Sequence, residues 1–256
     1  MALPYGLTVD WLKRTFLFGV DLTNDEGDPY PDGLFELCIE GAAERIETEL
    51  GIKLSLRTIT DELHDITVGD WRRAYQFQTK HGPLRSIQKL EFKQGDFPGV
   101  TIPNNWCYIR HENMGLVEII AGQGSIQRTS EFFATFGPSQ VFDFLGWHID
   151  SRRAGYLRVS YTAGFDGTTY PIPAEIKMAI GHLASMLPLD TAGDLIAGAG
   201  IASYSTTMDG LSESVSTTSS ATNSGYGARI LSYQNQLKAN MAGLKKRYLG
   251  PQVAVL

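Results

Sequence analysis

The spacing of apolar residues changes twice along this chain, and this change limits the folds open to it. Residues 34–50 and 176–187 carry apolar side chains at three- and four-residue steps, as amphipathic helices do. Residues 52–165 instead show short runs in which apolar and polar residues alternate, which is typical of half-buried strands. Strands and helices do not alternate along the chain, so a doubly wound parallel sheet is disfavoured. The pattern predicts an α+β fold, with a helical core and a large inserted antiparallel β region.

Four helices are predicted in the helical core. They are a short helix that begins after Thr8, a helix near 32–50, a helix near 173–187 that ends at about Pro188, and a last helix near 226–248. The second helix is expected to bury one stripe of apolar residues, namely Leu34, Leu37, Cys38, Ala42, Ile46 and Leu50. We therefore predict two domains, a helical one formed by 1–52 and 166–256, and a β-rich one formed by 53–165.

The junction between the two predicted domains has its own signature. Leu157, Val159 and Tyr161 alternate with polar residues, and the strand that they predict ends at Gly164. Glycine allows the chain to turn with a positive φ, and Pro173 suits the start of the following helix. We expect a β-branched residue at Gly164 to impair folding or assembly.

A polar segment precedes the last helix. Thirteen of the 22 residues from 203 to 224 are Ser or Thr, which is too polar for a core. The interpretation is an extended arm or flexible loop over 200–225, mobile in the free chain and ordered on assembly. Its first part could also pair as strands around Asp209-Gly210.

Composition and motifs narrow the classes of function. The net charge of −6 argues against nucleic-acid binding over the whole surface, and no segment is long and apolar enough to span a membrane. Two cysteines form neither a disulfide framework nor a metal site. Phosphate-binding glycine loops and Ser-nucleophile motifs are absent, so neither an enzyme nor a cofactor is predicted. The histidines are scattered, at His64, His81, His111, His148 and His182.

Two local clusters have alternative interpretations. His64 lies between Asp61 and Asp65, and this cluster is interpreted as an exposed polar turn. Residues 131–147 are rich in aromatic side chains, which suit either core or subunit packing or a platform that stacks on carbohydrate or bases. The second option predicts a carbohydrate- or receptor-binding module of a phage tail or surface structure.

Several of these segments resemble the phage head–tail connector (adaptor) family. The resemblance rests on residues 161–165 and 172–180, on the 34–50 helix with its Ala42-Ala43 and Leu50-Gly51 pairs, and on the 226–250 helix. It covers about half of the chain, at its two ends, and the segments follow the order of the family.

The resemblance implies a structural virion protein that is made in the host cytoplasm and resides in the neck between capsid and tail. Members form a ring, usually of twelve copies, beneath the portal protein, and the far side of the ring receives a stopper or tail-completion protein. Phage DNA passes through the channel without specific binding, and the acidic net charge of this chain suits such a channel.

The last helix is the predicted contact with the portal protein, because an amphipathic terminal helix after a polar arm is a common docking arrangement. The candidate contact residues are Arg229, Tyr233, Leu237, Leu244, Tyr248 and Leu249.

Overall fold

The structure, a computed structural model, describes most of the chain. The described residues are 6–24, 26–66, 75–93, 100–119, 153–197, 203–208, 211–216 and 225–250. They form two compact units, a helical unit (1–50 with 166–246) and a β unit (51–165 with 247–256). The predicted α+β class is confirmed.

The described part of the chain has helices close to the four predicted positions. They are α1 (Val9–Thr15), α2 (Asp32–Leu50), α3 (Ala174–Ala197) and α4 (Gly227–Tyr248). Thr8 caps α1 as expected, since its Oγ accepts a hydrogen bond of 3.1 Å from the backbone N–H of Trp11. None of the described helices is both long and apolar enough to cross a membrane.

Helix α3 continues beyond the predicted end. Pro188 lies inside the helix rather than after it. A proline in a helix interior removes one backbone hydrogen bond and costs about 3 kcal/mol. Leu189 and Ala192 are fully or almost fully buried beyond it, so their packing offsets the loss. The expectation that Pro188 ends the helix is wrong because tertiary burial outweighs the local signal.

Helix α2 buries a face slightly different from the predicted stripe. Ala42, Ile46 and Leu50 are buried as expected, but Leu37 is 65% exposed. Phe35, Ile39 and Ala43 are buried in addition. Both faces satisfy a 3.6-residue period, so the positions of α3 and α1, against which α2 packs, select between them.

The β unit contains two antiparallel sheets. Its strands are β1 (Arg57–Ile66), β2 (Tyr75–Gln78), β3 (Leu84–Phe92), β4 (Val100–Thr101), β5 (Cys107–His111), β6 (Leu116–Ile119) and β7 (Arg153–Ala163). One sheet has the order β1-β7-β3-β4 and the other β2-β6-β5. The core joins residues of both sheets, among them Phe77, Val117, Leu90 and Val159.

A third sheet belongs to the helical unit. Strands β8 (Ser203–Met208) and β9 (Leu211–Ser216) pair only with each other among the described strands. The optional strand pairing around Asp209-Gly210 is therefore confirmed, whereas residues 217–224 lie outside the described part of the chain.

The junction has the predicted local structure. Leu157, Val159 and Tyr161 are fully buried on β7, and Gly164 has a φ of +114°. A Cβ at Gly164 would overlap the carbonyl oxygen of Ser55. Pro173 immediately precedes α3, and its carbonyl oxygen accepts from the backbone N–H groups of Ile176 and Lys177.

Candidate assembly surface

An open apolar groove lies between α2 and α3. Among the described residues, Leu37, Cys38, Gly41, Ala42 and Arg45 of α2 line it, together with Leu183, Ala184 and Leu187 of α3. Its volume is about 280 Å³. Leu37 is 65% exposed and Leu187 is 52% exposed, although both are large apolar residues. This groove is hereafter called the α2–α3 groove.

Small residues open this groove between the two helices. Ala42 and Ala184 are buried at its floor, and a Cβ at Gly41 would meet no atom within 4 Å. Larger residues flank these positions, so the surface is concave and apolar at its centre. Concave apolar surfaces with exposed leucines favour contact with another protein surface.

The groove carries little reactive chemistry. Burial raises the pKa of the Cys38 thiol, which keeps the sulfur protonated and apolar in character. Arg45 donates to Glu49 at 3.0 Å, and Lys245 of α4 lies 3.2 Å from the same carboxylate. The hydrogen bond from Arg45 is the main cause of the lowered pKa of Glu49. Arg45 is the one charged residue among the described groove residues.

The predicted portal-contact residues on α4 have several intrachain roles. The Arg229 guanidinium donates to the carbonyl oxygens of Phe16 at 2.9 Å and Phe18 at 3.1 Å. The Tyr233 hydroxyl donates to the same Phe16 oxygen at 2.9 Å. These bonds satisfy carbonyls just after α1, where a helix end leaves acceptors without partners.

The apolar members of that set differ in exposure. Leu244 and Tyr248 are buried, whereas Leu237 and Leu249 are only partly buried. The structure thus divides the six residues into those that are buried or hydrogen-bonded within the chain and those with accessible surface. Contact with a portal protein stays a prediction.

His182 is buried in the core of the helical unit. Its ring stacks on the Tyr233 ring, with centroids 4.8 Å apart, and makes a T-shaped contact with the Phe16 ring at a centroid distance of 5.3 Å. Burial lowers the pKa of His182, and its Nδ1 has no hydrogen-bond partner in the described part of the chain. The neutral imidazole therefore packs as an aromatic ring.

The His64 cluster lies on a strand rather than in a turn, although Asp61 and Asp65 are exposed as expected. His64 lies on β1, and its Nε2 is 2.8 Å from Glu62 Oε1. Glu62 also accepts from the Tyr161 hydroxyl at 2.6 Å and from the Lys80 backbone N–H at 2.9 Å. A polar run in sequence suggested solvent, but Glu62 is only 7% exposed.

A β-bulge explains why sequence reasoning missed Glu62. The pairing of β1 with β7 shifts between Ile59 and Glu62, and Asp61 has a φ of +53°. One extra residue in a strand reverses the alternation beyond it, so Glu62 turns inward. The run Thr60-Asp61-Glu62, three polar residues in succession, was the only available signal.

The hydrogen-bond network around Glu62 has the charges of a structural interaction. Burial alone would raise the pKa of Glu62, but hydrogen bonds from His64, Tyr161 and Lys80 outweigh it and the pKa is lowered. Burial and the adjacent Glu62 raise the pKa of Tyr161. Glu62 is therefore an ionised acceptor and Tyr161 a neutral donor. Within the described residues, no group of His, Cys, Asp or Glu has the arrangement of a metal site.

The aromatic cluster at 131–147 lies outside the described residues. The stacking platform that it suggested therefore stays a prediction from sequence.

No family model and no curated protein matches this chain. Among solved structures, a chain from "Virion of native gene transfer agent (GTA) particle" is similar at 13% identity and a TM-score of 0.47, covering 100% of this chain and 96% of that one. A chain from "Neck of empty GTA particle computed with C6 symmetry" has 16% identity and a TM-score of 0.43, covering 72% and 79%. A third, from "Neck of native GTA particle computed with C12 symmetry", has 13% identity and a TM-score of 0.41, covering 72% and 78%. Because all three TM-scores lie below 0.5, this similarity does not identify a role for the chain.

Proposed function

We propose that this chain is a structural virion protein, a head–tail connector that forms a ring in the neck of a phage-like particle. In this role it joins a portal protein to a stopper or tail-completion protein and encloses a channel for DNA. The observation that carries the proposal is the order of its elements. The order of the short capped helix, α2, the Gly164 junction, α3 and the terminal helix is the order that the family resemblance implies, and the antiparallel β region lies between α2 and the junction.

The α2–α3 groove supports a role in assembly. A ring subunit must present apolar surface that its neighbours cover, and Leu37 and Leu187 provide such surface on rigid helices. The groove and its residues belong to one compact unit, so the surface is preformed before assembly.

The charge of the chain supports a DNA conduit. At a net charge of −6, electrostatic repulsion from phosphates reduces adhesion, whereas a basic lining would retain DNA and slow its passage. The proposed role requires no reaction at this chain.

The terminal helix is the proposed contact with the portal protein, through the accessible part of its surface. Truncation after Gly225 would also remove the buried residues Ile230, Met241 and Leu244, so point variants separate docking from folding. We expect Leu237→Asp to weaken capture by an immobilised portal protein at least tenfold. Lys238→Ala, at a neighbouring exposed position, is the control and should bind as the unaltered chain does.

The ring itself is tested by mass photometry and negative-stain electron microscopy of the full chain, alone and mixed with portal protein. The proposal expects closed rings in at least one of the two samples. A monomer in both samples, at concentrations up to the micromolar range, would overturn it.

A further inference from the structure

One aromatic side chain of the helical unit projects from its surface. Phe18 is 77% exposed, more than any other large apolar side chain among the described residues. It lies in a tight turn, because the Leu17 carbonyl oxygen accepts a hydrogen bond of 3.1 Å from the backbone N–H of Val20. Gly19 occupies the third position of this turn with a φ of +75°, as a type II turn requires. Phe18 is therefore at the corner of a turn, with its ring in solvent.

Hydrogen bonds from α4 hold the backbone of this turn. The carbonyl oxygen of Phe18 accepts from the Arg229 guanidinium at 3.1 Å, and that of Phe16 accepts from Arg229 and from Tyr233. An aromatic side chain on a fixed backbone loses little conformational entropy when it binds, and a buried aromatic ring removes about 150–250 Å² of surface from water. Phe18 thus has the properties of an anchor residue that another protein surface covers.

The turn at Phe18 and the α2–α3 groove lie on opposite sides of α3. Gly181 and His182 face the ring of Phe16, which adjoins the turn in the chain, whereas Leu187 lines the groove. Successive residues are about 100° apart around a helix, so Leu187 lies roughly half a turn from the side that Gly181 and His182 share. The turn therefore faces away from the groove of its own chain, and a contact between the two surfaces joins two copies.

Charged side chains flank both surfaces. Arg14, in the last turn of α1, precedes Phe18 in the chain and Asp21 follows it, and both are exposed. Glu44 and Arg45 are adjacent and exposed on α2, and Arg45 lines the groove. The ion pairs that Arg14 and Arg45 make within their own helices lie at the surface and therefore contribute little. One orientation of a bound copy thus pairs opposite charges at both ends, Arg14 with Glu44 and Asp21 with Arg45.

We propose that Phe18 of one copy inserts into the α2–α3 groove of a second copy, with Asp21 beside Arg45 and Arg14 beside Glu44. Turn and groove are different surfaces of one chain. A contact between different surfaces is heterologous, and it generates a ring when the rotation between copies closes. The inference deepens the proposed function, on which it rests only for the closure of the ring.

Two variants remove one surface each. Phe18→Ser removes the ring, and Gly41→Leu fills the groove from its own helix, where a Cβ would meet no atom within 4 Å. Both positions are exposed, so both variants should fold, which thermal melts check. Each variant alone should self-associate at least tenfold more weakly than the unaltered chain by sedimentation velocity. Leu231→Ser, at an exposed apolar residue of α4 outside both surfaces, is the control and should associate as the unaltered chain does.

A mixture of the two variants tests whether the contact is heterologous. The Phe18→Ser chain keeps its groove and the Gly41→Leu chain keeps its aromatic anchor, so we expect a 1:1 pair and no larger species. Absence of this pair overturns the proposal. Self-association of either folded variant at the strength of the unaltered chain also overturns it.

Disulfide trapping tests the orientation with both surfaces intact. One chain carries Asp21→Cys and the other Arg45→Cys, both in a Cys38→Ala background. Mild oxidation should give a mixed covalent pair at least tenfold more abundant than with Asp28→Cys, an exposed acidic residue of the same loop. Cys107 stays in every chain, so the control includes its contribution. An equal yield from the two positions overturns the proposal.

The outcomes separate the contact from the ring. With Asp21→Cys and Arg45→Cys in one chain, a ladder of covalent oligomers supports the contact, and a disulfide confined within single chains overturns it. A 1:1 pair of the two variants without rings of the unaltered chain supports the contact and overturns the ring. Rings that persist in Phe18→Ser overturn the contact and leave the proposed function standing.

Discussion

The helical unit and the β unit reach stability by different means. In the helical unit each helix satisfies its own backbone hydrogen bonds, so stability depends mainly on how tightly the side chains pack. On α3, Ile176 and Ile180 have zero exposure, and Gly181 lies against the Phe16 ring. In the β unit the strands depend on register, and a bulge turns the charged Glu62 into the interior, where three donors surround it. Substitutions that add volume should therefore destabilise the helical unit most. Substitutions that strain the backbone or remove a polar partner should destabilise the β unit most.

The largest effect is expected at Gly164. Alanine there would combine the strain of a φ of +114° with overlap on the Ser55 carbonyl, and we expect a loss of about 3 kcal/mol or more. Gly155→Ala, on the strand that Gly164 follows, is the matched control, because its φ of +61° is strained but its contacts are ordinary, and it should cost about 1 kcal/mol. Chemical denaturation of the full chain measures both. Equal losses at the two sites would show that the overlap at Ser55 relaxes without cost.

Gly181→Ala tests sensitivity to volume in the helical unit. The added Cβ would overlap the ring of Phe16, which is 6% exposed and packs edge-on against His182. We expect a loss of about 2–3 kcal/mol from overpacking. Gly243→Ala, at an open helical position, should instead gain up to about 1 kcal/mol. If hydrogen exchange showed that α3 opens no faster in Gly181→Ala than in the unaltered chain, the close approach of Gly181 to the Phe16 ring would not limit stability.

Tyr161→Phe removes one donor from the Glu62 network. The carboxylate would lose its 2.6 Å hydrogen bond, and the His81 backbone N–H would lose its acceptor at 3.2 Å. We expect a loss of about 1–3 kcal/mol, measured by urea denaturation. Tyr170→Phe, at an exposed tyrosine, is the control and should stay within about 0.5 kcal/mol. A loss no larger than that of the control would mean that water replaces the hydroxyl without penalty.

Glu62 also predicts how stability depends on pH. Its pKa is lower in the folded chain than the ordinary 4.5, so its contribution is complete above about pH 4.5 and is lost as pH falls through the folded value. Glu62→Gln should therefore flatten the decline of unfolding free energy between about pH 5 and pH 3, relative to the unaltered chain. Parallel pH profiles for the two proteins would contradict the assignment of an ionised Glu62.

The smallest effect is expected at Glu49. Its ion pairs with Arg45 and Lys245 lie at the surface, and surface pairs contribute little. Glu49→Gln should change the free energy of unfolding by less than about 0.5 kcal/mol in thermal melts. A larger loss would show that polar partners matter in the helical unit as they do in the β unit.

Local sequence signals were sufficient to predict most helices and strands and the junction at Gly164. Thr8 predicted the start of α1, and the alternation through Leu157, Val159 and Tyr161 predicted the strand that ends at Gly164. These signals were sufficient because a cap, a period of two and a glycine turn are interactions among near neighbours in sequence.

The positions relevant to assembly were harder to find. Leu37 was expected in a buried stripe and is exposed, and Arg229 and Tyr233 bond to carbonyls more than 200 residues away. A helical period leaves the orientation of α2 open, and no local pattern identifies a distant carbonyl.

The sequence by itself determined which segments are helix and which are strand in the two predicted domains, and it left the 203–216 pairing as one option. Tertiary structure decided that α3 passes through Pro188, that Glu62 lies inside, and that an apolar groove opens beside Leu37 and Leu187. The physical reason is that hydrogen bonds and turns act between neighbours, whereas burial depends on which distant surfaces meet.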